Sequence, residues 1–250
     1  MSRGSAIGGS KSRVLGVAER IPVHLRPTAP LASRVLLPGD PHRALAVAQA
    51  ILAEPKMFNH TRGLWGYTGR APDGELLTVQ ATGMGGPSAA IVTEELIDLG
   101  ADRLIRIGTC GALTDGLELG ELVVAQRVIG ADGTSAALGV ADTIAPDAAP
   151  TAALRARGVR GVTVVSTDLF YDDGRPELAG AWLAAGAEVV EMEAAALLAV
   201  ADRRQVSAAV LLAVSDLLAG TGRERITGDA LEAAGVQLGE TAWAALALLA

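Results

Sequence analysis

"SAAVLLAVSD", residues 207–216, is the stretch on which the fold reading turns. An unbroken apolar run from Ala208 to Val214 stops on the polar pair Ser215-Asp216, the pattern of a strand covered on both faces that ends where polar chemistry begins. Runs of the same kind recur at Val35–Leu37, at "RLIRIG" (103–108), "ELVVAQRVI" (121–129), "GVTVVST" (161–167) and "EVVEM" (188–192). Helical patterns lie between them. One starts at Pro41 behind Asp40, a natural N-cap, with Leu45, Ala48 and Leu52 on one face. A second carries Val92, Leu96 and Leu99 on a stripe that Gly100 stops. Others are expected around Thr151–Arg157 and Pro176–Ala185, up to Arg204, and from about Asp229 to the end. Apolar strands alternating with helices predict an α/β fold of three layers, α/β/α, with helices on both faces of one sheet. Asp73-Gly74, inside "GLWGYTGRAPDGELLTVQATG" (63–83), signals a hairpin, so the sheet is expected to be mixed. The Gly/Ala/Asp-rich stretch near 130–150 reads as loop.

The bulk properties narrow the function. The chain has 250 residues without a composition break in its middle, which suits a single domain. Residues 1–20, rich in Gly, Ser and Arg, read as a flexible leader, and 21–250 as the domain. Half of the residues are hydrophobic, yet they fall in short runs below the roughly 18 residues of a membrane span, so a soluble, cytoplasmic protein is expected. A net charge of −7, scattered basic residues and few aromatics argue against nucleic acid as a partner. One cysteine, Cys110, and three histidines make neither a disulfide nor a metal cluster, and Cys110 reads as a small buried hydrophobe.

In such sheets ligands bind just past the strand ends. Six polar segments occupy those places: Gly39-Asp40, Gly83–Ser88, Gly108-Thr109, Asp168–Tyr171, Glu191–Glu193 and Ser215-Asp216. Gly83–Ser88 offers unobstructed backbone amides at a helix start, which suits an anion. It matches neither the dinucleotide fingerprint nor the P-loop, and alone it reads as a tight turn. Arg106 changes the balance, because a guanidinium among apolar residues needs a carboxylate or phosphate within reach. Arg43 and Arg62 are further candidates; singly each reads as a surface salt-bridge residue, and with Gly39 and Thr109 they suffice to surround one oxyanion. Glu191 and Glu193 offer carboxylates to a hydroxyl-rich ligand, or else serve as acids favourable to a helix N-terminus, which fits Glu193 better than Glu191. Asp216 is placed either to act as a general acid or to cap a turn. Phe170 and Tyr171 present a face for a flat ring, or pack in the core.

Together "LLPGDPHRA", "RGLWGYTG", "TGMGGPSAAI", "RIGTCGAL", "STDLFY", "VVEMEAAA" and "AVSD", in that order, resemble the nucleoside phosphorylase family of the purine nucleoside and uridine phosphorylases, and most closely its bacterial hexameric purine branch. The likeness runs from about Ile21 to the C-terminus. It implies the nucleoside phosphorylase fold and phosphorolysis of purine (2′-deoxy)ribonucleosides to free base and α-D-(deoxy)ribose 1-phosphate. Phosphate would be a co-substrate, with no cofactor and no metal. By resemblance Gly39, Arg43, Arg106 and Thr109 look like phosphate ligands, with Arg62 reaching in from a neighbouring subunit. Met192 and Glu193 match the ribose contacts, Glu193 taking the 2′ and 3′ hydroxyls. Phe170 looks like the stacking residue near Val190 and Glu191, with Met84 and Ser215 also at the nucleoside. His24 matches the histidine that a partner subunit offers to the 5′-hydroxyl. Asp216 matches the acid that protonates purine N7, assisted by Arg225, with Arg223 as the fallback. A homo-oligomer is implied, a hexamer built as a trimer of dimers.

Within the family, Ser215-Asp216 and the lack of a Gln-x-Arg insert favour purines over uridine. The three arginines favour phosphate over water as the nucleophile. A 5′-methylthioadenosine phosphorylase stays open beside the ordinary purine enzyme, with His24 favouring the 5′-hydroxyl, and a non-catalytic nucleoside binder on the same fold stays open as well.

Overall fold

Asp40 accepts a hydrogen bond from the amide of His42 at 2.6 Å and Pro41 stands in the first helical turn, so β1 (Arg34–Leu37) passes directly into α1 (Pro41–Ile51). The computed structural model describes residues 21–171, 176–219 and 222–249; the leader expected over 1–20 lies outside the described residues. Beyond α1 the chain lays down β2 (Ala53–Asn59), β3 (Gly66–Arg70) and β4 (Leu76–Gln80), then α2 (Gly86–Asp98) and β5 (Arg103–Ala112). Strand β6 (Leu122–Ala131) leads to α3 (Gly133–Ala137), β7 (Thr143–Ile144), α4 (Ala148–Arg155) and β8 (Arg160–Thr167). Then come α5 (Pro176–Ala184), β9 (Val189–Glu191), α6 (Ala194–Arg204), β10 (Ser207–Leu217), β11 (Glu224–Arg225) and α7 (Gly228–Ala247).

The sheet is mixed, as the hairpin signal implied: β3 and β4 pair antiparallel, while β1 runs parallel to both β4 and β5. Its strand order is β2-β3-β4-β1-β5-β9-β8-β6-β10-β11, with β7 beside β6. An additional parallel pairing joins β10 to β5, so β5, β9, β8, β6 and β10 close into a ring. That closure, absent from the sequence reading, brings the ends of β5, β9 and β10 together.

Alternation along the central strands explains the three layers. Val35 and Leu37 face one core cluster with α2 and α6, and Leu36 faces the other with α1, α4 and α7. In β10 the even positions Ala208 to Val214 join the first cluster, and Ala209, Leu211 and Ala213 join the second. A strand apolar at every position is what two helical layers demand.

Two differences from the sequence reading have physical causes. The stretch 130–150 is structured, because Asp132 and Asp147 cap α3 and α4 through the amides of Ser135 and Ala149; these caps lie inside a composition that resembles loop. Strand β2 was not anticipated; it pairs only with β3 at the sheet edge and carries Pro55, a residue that edge strands tolerate.

Candidate active site

All six strand-end segments open on one cavity of about 650 Å³. The loops after β1 and β4 are tied together, Gly83 N–H donating to Gly39 carbonyl at 3.1 Å and Thr82 N–H to Pro38 carbonyl at 2.8 Å. A side chain at Gly39 would lie 3.3 Å from the Gly83 carbonyl, so the close approach of these loops favours glycine there. Gly83 and Gly85 have φ of 75° and 84°, and Gly85 is the N-cap of α2.

Arg106, near the middle of β5, is almost fully buried. Its Nε donates to Glu191 Oε2 at 3.0 Å and its Nη2 to Glu193 Oε2 at 2.5 Å, while Nη1 is buried without any partner. Burial works against the Arg106 charge, and Glu193 and Glu191 together outweigh it, holding the guanidinium above the usual arginine range. Gly108 makes room: a Cβ there would come within 2.6 Å of Nη2. Arg43, on the first turn of α1, lines the same cavity and makes no hydrogen bond or ion pair among the described residues. Burial pushes its guanidinium below the usual range; Arg106 adds to that effect, and Asp40 and Glu193 oppose it. Two arginines that repel one another and hold unused donors form an incomplete charge set, which an anion completes.

The two acids flanking Met192 do different work. Glu191 Oε1 accepts from the Ser166 hydroxyl and from Ala194 N–H at 2.9 Å; Oε2 accepts from Arg106 and from the amides of Glu193 at 2.9 Å and Ala194 at 3.0 Å. A carboxylate has about four lone-pair sites, so these donors fill it. Burial pushes the Glu191 carboxyl up, Arg106 and Ser166 pull it down, and Glu193 adds to the rise, for a net upward shift. The resemblance gave Glu193 the ribose hydroxyls, with a helix-end role as the alternative, and set Glu191 beside the base; in the hydrogen bonds it is Glu191 that occupies the helix end. Glu191 serves the first amides of α6, and Glu193, its N-cap residue, makes no side-chain cap bond. Glu193 instead accepts from Gly85 N–H at 2.6 Å and from Arg106, one bond on each oxygen.

At the far side of the cavity, β10 carries a bulge against β5: Val214 pairs with Cys110 and Asp216 with Gly111, leaving Ser215 as the extra residue. Bulges re-aim side chains beside functional sites. The Ser215 hydroxyl contacts Asp216 Oδ2 at 2.8 Å and the Cys110 carbonyl at 3.2 Å. Arg223 Nε donates to Asp216 Oδ1 at 2.8 Å, and its guanidinium lies 5.0 Å above the Phe170 ring. Arg225 is opposite Asp216 in the β10–β11 pair, but its Nε stays 3.7 Å from Oδ1. Of the two arginines that the sequence offered, Arg223, the fallback, thus stands nearer to Asp216 than Arg225 does. Burial raises the Cys110 thiol far above its ordinary value, the state of a structural rather than a reactive cysteine.

Thr109, Arg62, Met84, Val190 and Met192 also line the cavity. Arg62 sits in a short 3-10 turn at φ 58°, a left-handed conformation uncommon for a side-chain-bearing residue, and stands at the cavity of its own chain. His24 does not line this cavity: its Nδ1 lies 2.7 Å from Glu95 Oε1, beside a second cavity of about 440 Å³. Ser166, which locks Glu191, was missed by sequence reasoning; its only signal is its place at the end of the apolar run of β8. Among the described residues no group of His, Cys, Asp and Glu is arranged to hold a metal ion, and no helix is long and apolar enough to cross a membrane.

Comparison with known proteins shows the family to which the chain belongs. Residues 33–248 match the family described as the phosphorylase superfamily. A "Purine nucleoside phosphorylase DeoD-type" of Caldanaerobacter subterraneus subsp. tengcongensis is 37% identical over 180 residues, covering 67% of this chain and 75% of that protein. One from Clostridium perfringens strain SM101 is also 37% identical over 180 residues, covering 67% and 74%. Among solved structures, uridine phosphorylase from Vibrio fischeri ES114, complexed with 6-hydroxy-1-naphthoic acid, superposes with a TM-score of 0.78 at 26% identity, covering 87% of this chain and 92% of that one.

Proposed function

The chain belongs to the phosphorylase superfamily, and on that premise we propose that it is a pentosyltransferase, a purine nucleoside phosphorylase. The observation that carries the reading is the buried Nη1 of Arg106 beside Arg43, both without a partner among the described residues, a pair of donors that suits inorganic phosphate. Phosphate held there is both nucleophile and a negative charge beside the developing oxocarbenium. Its oxygen forms the new bond to C1′ as the bond from C1′ to N9 breaks. The electron pair of the broken bond enters the purine, and the proton of the Asp216 carboxyl goes to N7.

Glu193 supports the sugar role, because one hydrogen bond on each of its oxygens leaves an acceptor position on each for the ribose 2′ and 3′ hydroxyls. Phe170, about half exposed, supplies the stacking face. The sequence likeness to two named purine nucleoside phosphorylases supports the purine choice. Uridine phosphorolysis is the second reading, favoured by the structural likeness to the Vibrio fischeri enzyme; the Ser215-Asp216 pair weighs against it. A cytoplasmic homo-hexamer, with Arg62 and His24 serving neighbouring sites, belongs to the same proposal.

The test is product release from adenosine, inosine, guanosine, uridine and 5′-methylthioadenosine, each with and without phosphate. Adenine and hypoxanthine should appear only with phosphate. Turnover confined to methylthioadenosine or to uridine would replace the purine reading, and base release without phosphate would make the protein a hydrolase.

A further inference from the structure

We propose that Ser166 and Glu191 are positioning residues for the anion site, which hold Arg106 so that its one unpartnered nitrogen faces the bound oxyanion. The inference rests on the phosphorolytic reading above and gives Glu191 a different task from the nucleoside contact that resemblance implied.

The carboxylate of Glu191 has no capacity left for a substrate. Its donors are the Ser166 hydroxyl, the Arg106 Nε at 3.0 Å, and the amides of Glu193 at 2.9 Å and Ala194 at 2.9 and 3.0 Å. A sugar or base hydroxyl would have to displace one of them. Ser166 is itself fixed from two sides, donating to Glu191 and accepting from Ala195 N–H at 2.9 Å. It is fully buried and does not line the cavity, so no ligand reaches it. The hydroxyl therefore links the N-terminal turn of α6 to the carboxylate, and the carboxylate grips one edge of the guanidinium.

Glu193 takes Nη2, and Nη1 is the remainder. A planar guanidinium held at Nε and Nη2 has no freedom to turn, so the direction of Nη1 is set by these two partners. Removing the lock at Ser166 lets Glu191 shift and leaves Arg106 anchored by Glu193 alone. The first loss is alignment toward phosphate.

The experiment compares wild type with Ser166→Ala, Ser166→Thr and Glu191→Gln, reading KM for phosphate, KM for nucleoside, kcat, and direct phosphate binding by calorimetry. Ser166→Ala should raise the phosphate KM about fivefold, less than the full worth of a hydrogen bond to a carboxylate because the effect reaches phosphate only through Glu191 and Arg106, with the nucleoside KM moving less than about twofold. Glu191→Gln should raise the phosphate KM about tenfold or more, as expected for a hydrogen bond to a charged group. Ser166→Thr, which keeps the hydroxyl, should restore most of the loss. If Ser166→Ala does not fold, Ser166→Cys, with a weaker donor of similar size, takes its place in the same comparison.

An unmoved phosphate KM in Ser166→Ala, or in Ser166→Cys where that takes its place, of a phosphate-dependent enzyme overturns the inference. So does a Glu191→Gln loss carried by the nucleoside KM, which would make Glu191 a substrate ligand. A wild-type protein whose turnover ignores phosphate instead removes the parent reading.

Discussion

Arg223 donates from Nε to Asp216 Oδ1 at 2.8 Å, whereas Arg225, directly opposite in the β10–β11 register, remains at 3.7 Å. A carboxyl that gives its proton to the departing base ends the step as a carboxylate, and a guanidinium in hydrogen-bond contact stabilises that product. Asp216→Ala should therefore lower kcat about 100-fold or more, while leaving phosphate binding largely intact. Arg223→Ala should lower kcat about tenfold, and Arg225→Ala should cost clearly less. Steady-state kinetics on inosine separate the two; a larger loss for Arg225→Ala would return the assisting role to it.

Arg106 and Gly108 are two apart on β5, on the same face, and the missing side chain of Gly108 is what admits the guanidinium. A methyl at Gly108 would lie 2.6 Å from Nη2, 2.8 Å from Cζ and 2.9 Å from Leu212 Cδ2. A flexible side-chain end yields cheaply, but this one is pinned by Glu191 and Glu193. Gly108→Ala should cost about 1–3 kcal/mol of stability through overpacking and raise the phosphate KM about tenfold. Urea unfolding and phosphate kinetics read the two effects separately, and wild-type values in both would show that the guanidinium has room to yield.

The layers were legible in the sequence because burial on both faces makes the run Ala208–Val214 of β10 apolar at every position. The positions of the cavity-lining loops were legible too, since strands of a covered sheet end in polar residues only where something binds or turns. Pairing was not. Glu191 and Glu193 look alike as letters, and their division of labour depends on where β9 ends and α6 begins. The choice between Arg223 and Arg225 depends on a short antiparallel pairing whose register no spacing rule reveals. The bulge at Ser215 and the closure of β10 on β5 are long-range facts of the sheet, invisible to any local window. Asp132 and Asp147 did carry a cap signal, and the surrounding alanines and glycines masked it.

Glu95 anchors the segment entering the fold. It accepts from the amides of Val23 at 3.0 Å and Leu25 at 2.7 Å, from His24 N–H, and from the His24 ring. Burial pushes its carboxyl up, but the hydrogen bond from His24 and the backbone donors together outweigh that, holding it below its ordinary value of 4.5. The folded state thus prefers the carboxylate, so this stabilisation is complete above pH 4.5 and is lost as the pH falls through the lower folded value. Glu95→Gln should cost about 2 kcal/mol near neutral pH, about 4–8 °C in Tm for a chain of this size. The gap between wild type and variant should close as the pH is lowered beneath 4.5. A gap that is constant with pH would mean that the carboxylate charge does not hold the segment.

His24 and Arg62 bear on assembly. His24 is held at Glu95 on α2, outside the main cavity, beside a second cavity lined by Val23, Ile91 and Leu138. From there it cannot serve its own chain's sugar without leaving Glu95. In the proposed hexamer it would serve a neighbour instead, as would Arg62, whose exposed turn also borders its own chain's cavity. Activity should then fall with dilution in step with dissociation, followed by analytical ultracentrifugation and by turnover at the same concentrations. Mixing Asp216→Ala chains with Arg62→Ala chains should restore part of the activity that each lacks alone, because some mixed neighbours pair an intact Asp216 site with an intact Arg62. A fully active monomer, or mixtures with no recovery, would confine each site to one chain and leave His24 a purely structural partner of Glu95.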